Sequence, residues 1–214
     1  MFKIFAETHK IIARNIYDNI YDNYDLKLDK NKLEWGSIAP DILPHYRLIR
    51  HYKDESLNFI SKEIMKVIFI SRFLDFNERL DPLAMKLLSN KIGIISHYLS
   101  DYVCLPHASR WTFFGNMKKH IKYEKELDLI SPSHDFKINK IDTEDLDIYN
   151  INPRDLQEEI KNYINNVVEE YSVKTGYDVD LDFSVAINVK ITRFVLDTIA
   201  VYSEEIHGHF ALQF

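Results

Sequence analysis

Three observations predict an all-α fold. Gly and Pro are scarce, five and six in 214 residues, so few tight turns are available for a many-stranded sandwich. Apolar residues recur at three- and four-residue spacing over long segments instead of alternating. Those segments are punctuated by helix signals, among them Pro82, Pro153 and Gly176.

Taken in order, the first helix is expected over 6–23, with Ile11, Ile12, Ile16 and Ile20 on one side. A loop rich in Asp, Lys and Asn follows and passes through Gly36 and Pro40. A second helix is expected over 54–77, with Phe59, Ile60, Ile64, Val67 and Ile68 at helical spacing. The third, over 81–104, opens on Pro82, which suits a first helical turn. Its Leu83, Leu87, Leu88, Ile92, Ile94, Ile95 and Leu99 make it apolar almost all round, the mark of a central helix. A fourth is expected over 112–128. Residues 129–152 read as polar and irregular. Two more helices follow, over 153–175 and 183–206.

The chain is long enough for one domain with a sizeable core, and 1–214 reads as a single unit without repeats or linkers. Its net charge of −6 argues against a broad nucleic-acid surface. Cys104 is the only cysteine, so no intramolecular disulfide supports the fold, and its place in an apolar helical stripe suggests a buried structural thiol. The first ten residues are too short and too charged for a secretory leader, and no run of 18 apolar residues occurs. A soluble, cytoplasmic protein is expected.

Residues 97–107 carry His97, Asp101 and His107 in the spacing H-x3-D-x5-H, with Pro106 before the last His. His120 and Glu124 follow as H-x3-E. Residues four apart on a helix share a face. His97 and Asp101 can therefore bind one metal or bridge two, and His120 with Glu124 repeats the geometry on another helix. His107, after Pro106, is expected just past a helix end. Any one such pair is usually a solvated ion pair. Two pairs, one of them in the most apolar helix, point instead to metals held between helices. Histidine and carboxylate without thiolate favour Zn²⁺, with Mn²⁺ or Fe²⁺ as alternatives. Upstream, His9 opens the first helix, Asp41 follows Ala39-Pro40, and His45 and His51 follow in turn. His134, His207 and His209 match no ligand pattern.

The order of His9, Asp41, His51, then H-x3-D-x5-H, then H-x3-E resembles the bacterial zinc-dependent phospholipases C. These share a helical fold and a trinuclear zinc cluster with the zinc-dependent single-strand nucleases. The resemblance implies an all-α, single-domain bundle and a zinc-dependent hydrolase with two to three Zn²⁺. His51, His97 and Asp101 would hold one zinc, and His107, His120 and Glu124 a second. His9 and the bridging Asp101 would help hold a third. Asp41 would ligate or act as general base. In secreted members an N-terminal Trp completes the third shell; this chain opens Met1-Phe2. The shorter gap after Asp41 leaves His45 as an alternative to His51. The expected activity is phospholipid headgroup cleavage by hydroxide generated at zinc, with transient membrane-surface contact. Two alternatives are carried beside it. One is a nuclease, for which Arg110-Trp111 and Lys118-Lys119 offer cationic and aromatic groups. The other is a metal-stabilised binding domain with little turnover.

Overall fold

The computed structural model describes residues 6–73, 81–111 and 116–211, except for the side chains of Arg47 and 205–211. Among the described residues there are eight α-helices, a few single 3-10 turns and no strand. The helices are α1 (Glu7–Tyr24), α2 (Lys30–Ile42), α3 (Lys53–Ser71), α4 (Pro82–Tyr102), α5 (Leu105–Ala108), α6 (Met117–Ile130), α7 (Leu156–Ser172) and α8 (Tyr177–Ala211). None is long and apolar enough to cross a membrane among the described residues.

The expected periodicities place the core. Ile12, Ile16 and Ile20 of α1 are buried, as are Ile60, Ile64, Val67 and Ile68 of α3. Helix α4 starts at Pro82, with the Asp81 side chain accepting from Leu83 N. Its second half is buried without interruption over 92–102, whereas its first turns leave Leu83 and Leu87 exposed. Residues 74–77 and 112–115, which the sequence reading placed in helices, lie outside the described residues, as do the side chains of His207 and His209.

Helix α2 occupies a stretch that reads as loop. Asp29 caps it by accepting from Lys32 N, and Pro40 is tolerated in its last turns. Its small residues explain both the helix and its disguise. Gly36 and Gly93 lie where α2 and α4 touch backbone to backbone, the most extensive helix pairing in the chain. A Cβ on Gly36 would come 2.3 Å from Asn90 O, and one on Gly93 would come 2.3 Å from Leu33 O. Burial of Leu33, Gly36, Ser37, Ile38, Ala39 and Pro40 against α4 therefore outweighs the poor helix propensity of Gly and Pro.

Three further boundaries differ from expectation. Helix α4 ends at Tyr102, and after a break Cys104, in extended conformation, leads into the single turn of α5. Cys104 thus sits between two helices, partly buried, and His107 lies within a turn of helix. Helix α7 begins at Leu156, because Asn152 accepts from Arg154 N and makes Pro153 part of a turn. Helix α8 begins at Tyr177, six residues early, with Asp178 and Asp180 in its first turn.

Adding a methyl group at the α2–α4 contact forces the two backbones apart. Gly93→Ala is expected to cost about 1–3 kcal/mol of stability, read as a lower urea midpoint at unchanged slope. An unchanged midpoint would mean that the helices do not need this close approach.

Candidate metal centre

The site is built on the last turn of α4. Asp101 there is 4% exposed and His97, one turn earlier, is fully buried. A bare buried carboxylate is costly, so its surroundings are informative. Oδ2 of Asp101 lies 2.8 Å from His51 Nδ1 and 3.3 Å from His97 Nε2. Its Oδ1 lies 3.5 Å from His9 Nε2 and 3.8 Å from His107 Nε2. The two oxygens thus address different histidines. Asp41, near the C-terminus of α2, places Oδ1 3.6 Å from His97 Nε2 and 3.8 Å from His51 Nδ1. On the other side, Glu124 Oε1 lies 2.7 Å from His120 Nε2 and 3.3 Å from His107 Nε2.

Two of the rings are oriented by backbone carbonyls. His97 Nδ1 donates to Ser37 O at 2.8 Å, and His120 Nδ1 donates to Trp111 O at 3.2 Å. A carbonyl can only accept, so Nε2 of each ring points inward; on the neutral His97 it carries the lone pair, and on His120 it faces Glu124 Oε1 at 2.7 Å. This is how metal-binding histidines are usually held.

Electrostatics agree with that arrangement. Burial, then the positive side of His9, lowers the His97 pKa to about 4, which keeps it neutral and ready to ligate. For His51, burial works downward, but contact with Asp101 and the charges of Asp41 and Glu124 outweigh it and raise the pKa. For Asp101, burial works upward, but His107, His97 and His51 hold its carboxyl well below the usual range. Glu124 is likewise resisted by burial, yet His107 and His120 bring it to about 2.

These residues fit zinc. Three sets of donor atoms converge, each within 4.8 Å: His9, Asp41 and His97; His51, His97 and Asp101; His107, His120 and Glu124. A tetrahedral ion with bonds near 2.0–2.1 Å separates its ligands by about 3.3 Å, close to the spacings above. His51 Nδ1 lies 2.8 Å from Asp101 Oδ2 and 3.2 Å from His97 Nε2, so three ligating atoms crowd one point, as a shared ion requires.

All eight residues singled out in the sequence come together here, and His45 does not. It is exposed and packs on Tyr46. His134 is also elsewhere, bonded to Asp182 at 2.8 Å. The site opens into a cavity of about 420 Å³ that also involves Thr8, Asp128, Asp180 and Ser184. None of these four carried a sequence signal. Asp128 Oδ1 accepts from both the backbone and the hydroxyl of Thr8, fastening α1 to α6 beside His9.

The family model for zinc-dependent phospholipase C matches residues 8–177, a span that holds every residue of the three sets. The chain belongs to the zinc-dependent phospholipase C family. No curated protein and no solved structure matches it. Zn²⁺ is accordingly the metal of the family, and the arrangement of histidines and carboxylates is consistent with it.

A pH dependence follows for the chelated, metal-free protein. The Glu124 carboxyl is depressed from 4.5 to about 2, so its stabilising contribution is present above about 4.5 and is lost as pH falls toward 2. Glu124→Gln is expected to flatten that part of a stability-versus-pH curve. Parallel curves for the two proteins would rule out the ion pairs with His107 and His120.

Proposed function

We propose that this chain is a zinc-dependent phosphodiesterase that cleaves phospholipids, releasing a phosphorylated headgroup and an alcohol. The observation that carries the reading is the shared carboxylate of Asp101, whose two oxygens face two groups of histidines within one cavity. His97 can serve only one ion, because its Nδ1 is committed to Ser37. It is therefore assigned with His51 and Asp101 to a first zinc. His107, His120 and Glu124 are assigned to a second. His9 Nε2 and Asp101 Oδ1 are assigned to a third, which needs further ligands. Three protein ligands and an open position are typical of catalytic zinc.

Bound zinc supplies Lewis-acid stabilisation of charge on phosphoryl oxygens and makes water more acidic. The protein does the rest. Asp41 faces His51 and His97 from the cavity wall, is partly exposed, and lies farther from its histidines than Glu124 does from His120. It receives a proton from the water that attacks phosphorus as the bond to the leaving alcohol oxygen breaks, and it then returns that proton to the departing oxygen, by way of solvent, to release the alcohol. The rings of His97 and His120, fixed by carbonyls, keep their ligating nitrogens aimed at the cavity centre.

The nuclease alternative loses support at the rim. Arg110, held at positive φ, makes ion pairs with Asp54 at 3.0 Å and Glu55 at 3.3 Å. Lys119 lies over the Trp111 ring at 3.9 Å. Arg110, Lys119 and Trp111 are thus engaged within the protein.

Zinc content and hydrolysis of p-nitrophenylphosphorylcholine, phosphatidylcholine and single-stranded DNA test the reading. Zinc-loaded protein is expected to hydrolyse the first two substrates; inertness toward every phosphodiester would sink the enzyme assignment. Asp101→Asn is expected to lose zinc, and unchanged stoichiometry would refute the bridge. Asp41→Asn is expected to keep its zinc and lose roughly 10²–10⁴-fold in turnover. Intact turnover would remove its role as base.

A further inference from the structure

Helix α5 is a single turn, and an isolated turn of helix does not hold itself together. It nevertheless carries His107. Its cap residue, Cys104, provides no side-chain hydrogen bond, so the N–H groups of the turn need another partner. That partner comes from 75 residues away. Asp180 Oδ2 accepts from Leu105 N at 2.9 Å.

The same oxygen accepts from the Tyr123 hydroxyl at 2.9 Å, and Oδ1 accepts from the Tyr171 hydroxyl at 2.6 Å. Asp180 is 2% exposed and helps to line the cavity. Both oxygens are occupied, and it belongs to none of the converging donor sets. Leu105 is two residues before His107. Tyr123 directly precedes Glu124 and is three residues after His120. Tyr171 joins the network to α7 at the point where the chain turns into α8.

We infer that Asp180 is a positioning residue for the second zinc, fixing the backbone segment of His107 relative to the helix that carries His120 and Glu124. The inference rests on the metal assignment above. It extends that assignment to a residue beyond the span shared with the family, which ends at residue 177. A purely structural carboxylate could be satisfied by any three donors. Two of these three, Leu105 N and the Tyr123 hydroxyl, lie within two residues of ligands of one set on two different helices, and none lies that near a ligand of the other. Burial pushes the Asp180 carboxyl up to about 6 in spite of its donors. The buried charge is therefore kept against a desolvation cost.

The test is zinc affinity site by site, measured by chelator competition and metal content on folded protein at neutral pH. Glu124→Gln identifies the class of zinc that depends on the second set. Asp180→Asn is expected to weaken that class by about 10–100-fold, the usual effect of disturbing a group that orients metal ligands. The class held by His51, His97 and Asp101 is expected to keep its affinity. Tyr123→Phe removes one donor without changing the ring and is expected to weaken the same class in the same direction. It carries the test if Asp180→Asn does not fold. Wild-type affinity in that class, or equal weakening of every class, would overturn the inference. A wild-type protein with no zinc class sensitive to Glu124→Gln would instead overturn the metal assignment on which it rests.

Discussion

One buried carboxylate organises this molecule. Asp101 sits in a continuously buried stretch of α4, where an uncompensated charge would cost several kcal/mol. Four histidines surround it: His9 from α1, His51 from the turn before α3, His97 from its own helix and His107 from α5. They approach in two pairs, one for each oxygen. Satisfying one side chain therefore obliges α1, α3, α4 and α5 to meet at one end of the bundle. The metal centre and the helix arrangement are consequences of the same constraint.

Around that centre, orientation is supplied by backbone more than by side chains. The touching glycines bring α2 against α4 and so place Ser37 O beside His97. A larger residue at either glycine would move the carbonyl that sets the tautomer of a ligand. Trp111 O does the same for His120, and it lies next to Arg110, which holds a left-handed conformation that L residues seldom adopt. The ion pairs of Arg110 with Asp54 and Glu55 compensate for that conformation by anchoring it to the first turn of α3.

Much of this could be read in the sequence, and the exceptions have physical causes. Helices α1, α3 and α4 were readable because their apolar residues keep a 3.6-residue period and face one core. Helix α2 was not, because Gly36 and Pro40 look like loop residues until the contact that needs their small size is known. Helix α8 starts before the apolar period that marks it from Phe183, because Asp180 and Asp182 interrupt that period and yet are buried against hydroxyl, imidazole or backbone donors. The eight ligand candidates were found because their order along the chain is distinctive. Spacing could not choose between His45 and His51; only the turn between them does, sending one ring onto Tyr46 and the other to Asp101.

The same accounting links metal to folding. Asp41, Asp101, Glu124, Asp128 and Asp180 all border one cavity, in a chain already at −6. Histidine protons offset part of that charge only while pH is low enough to supply them, and His97, with its pKa near 4, supplies none at neutrality. Divalent cations held by these groups would do the same work without a proton, and would bind the folded chain in preference to the unfolded one. Stability then rises with the logarithm of free metal. The residues that make the cavity electrostatically expensive are thus those through which zinc would stabilise the fold.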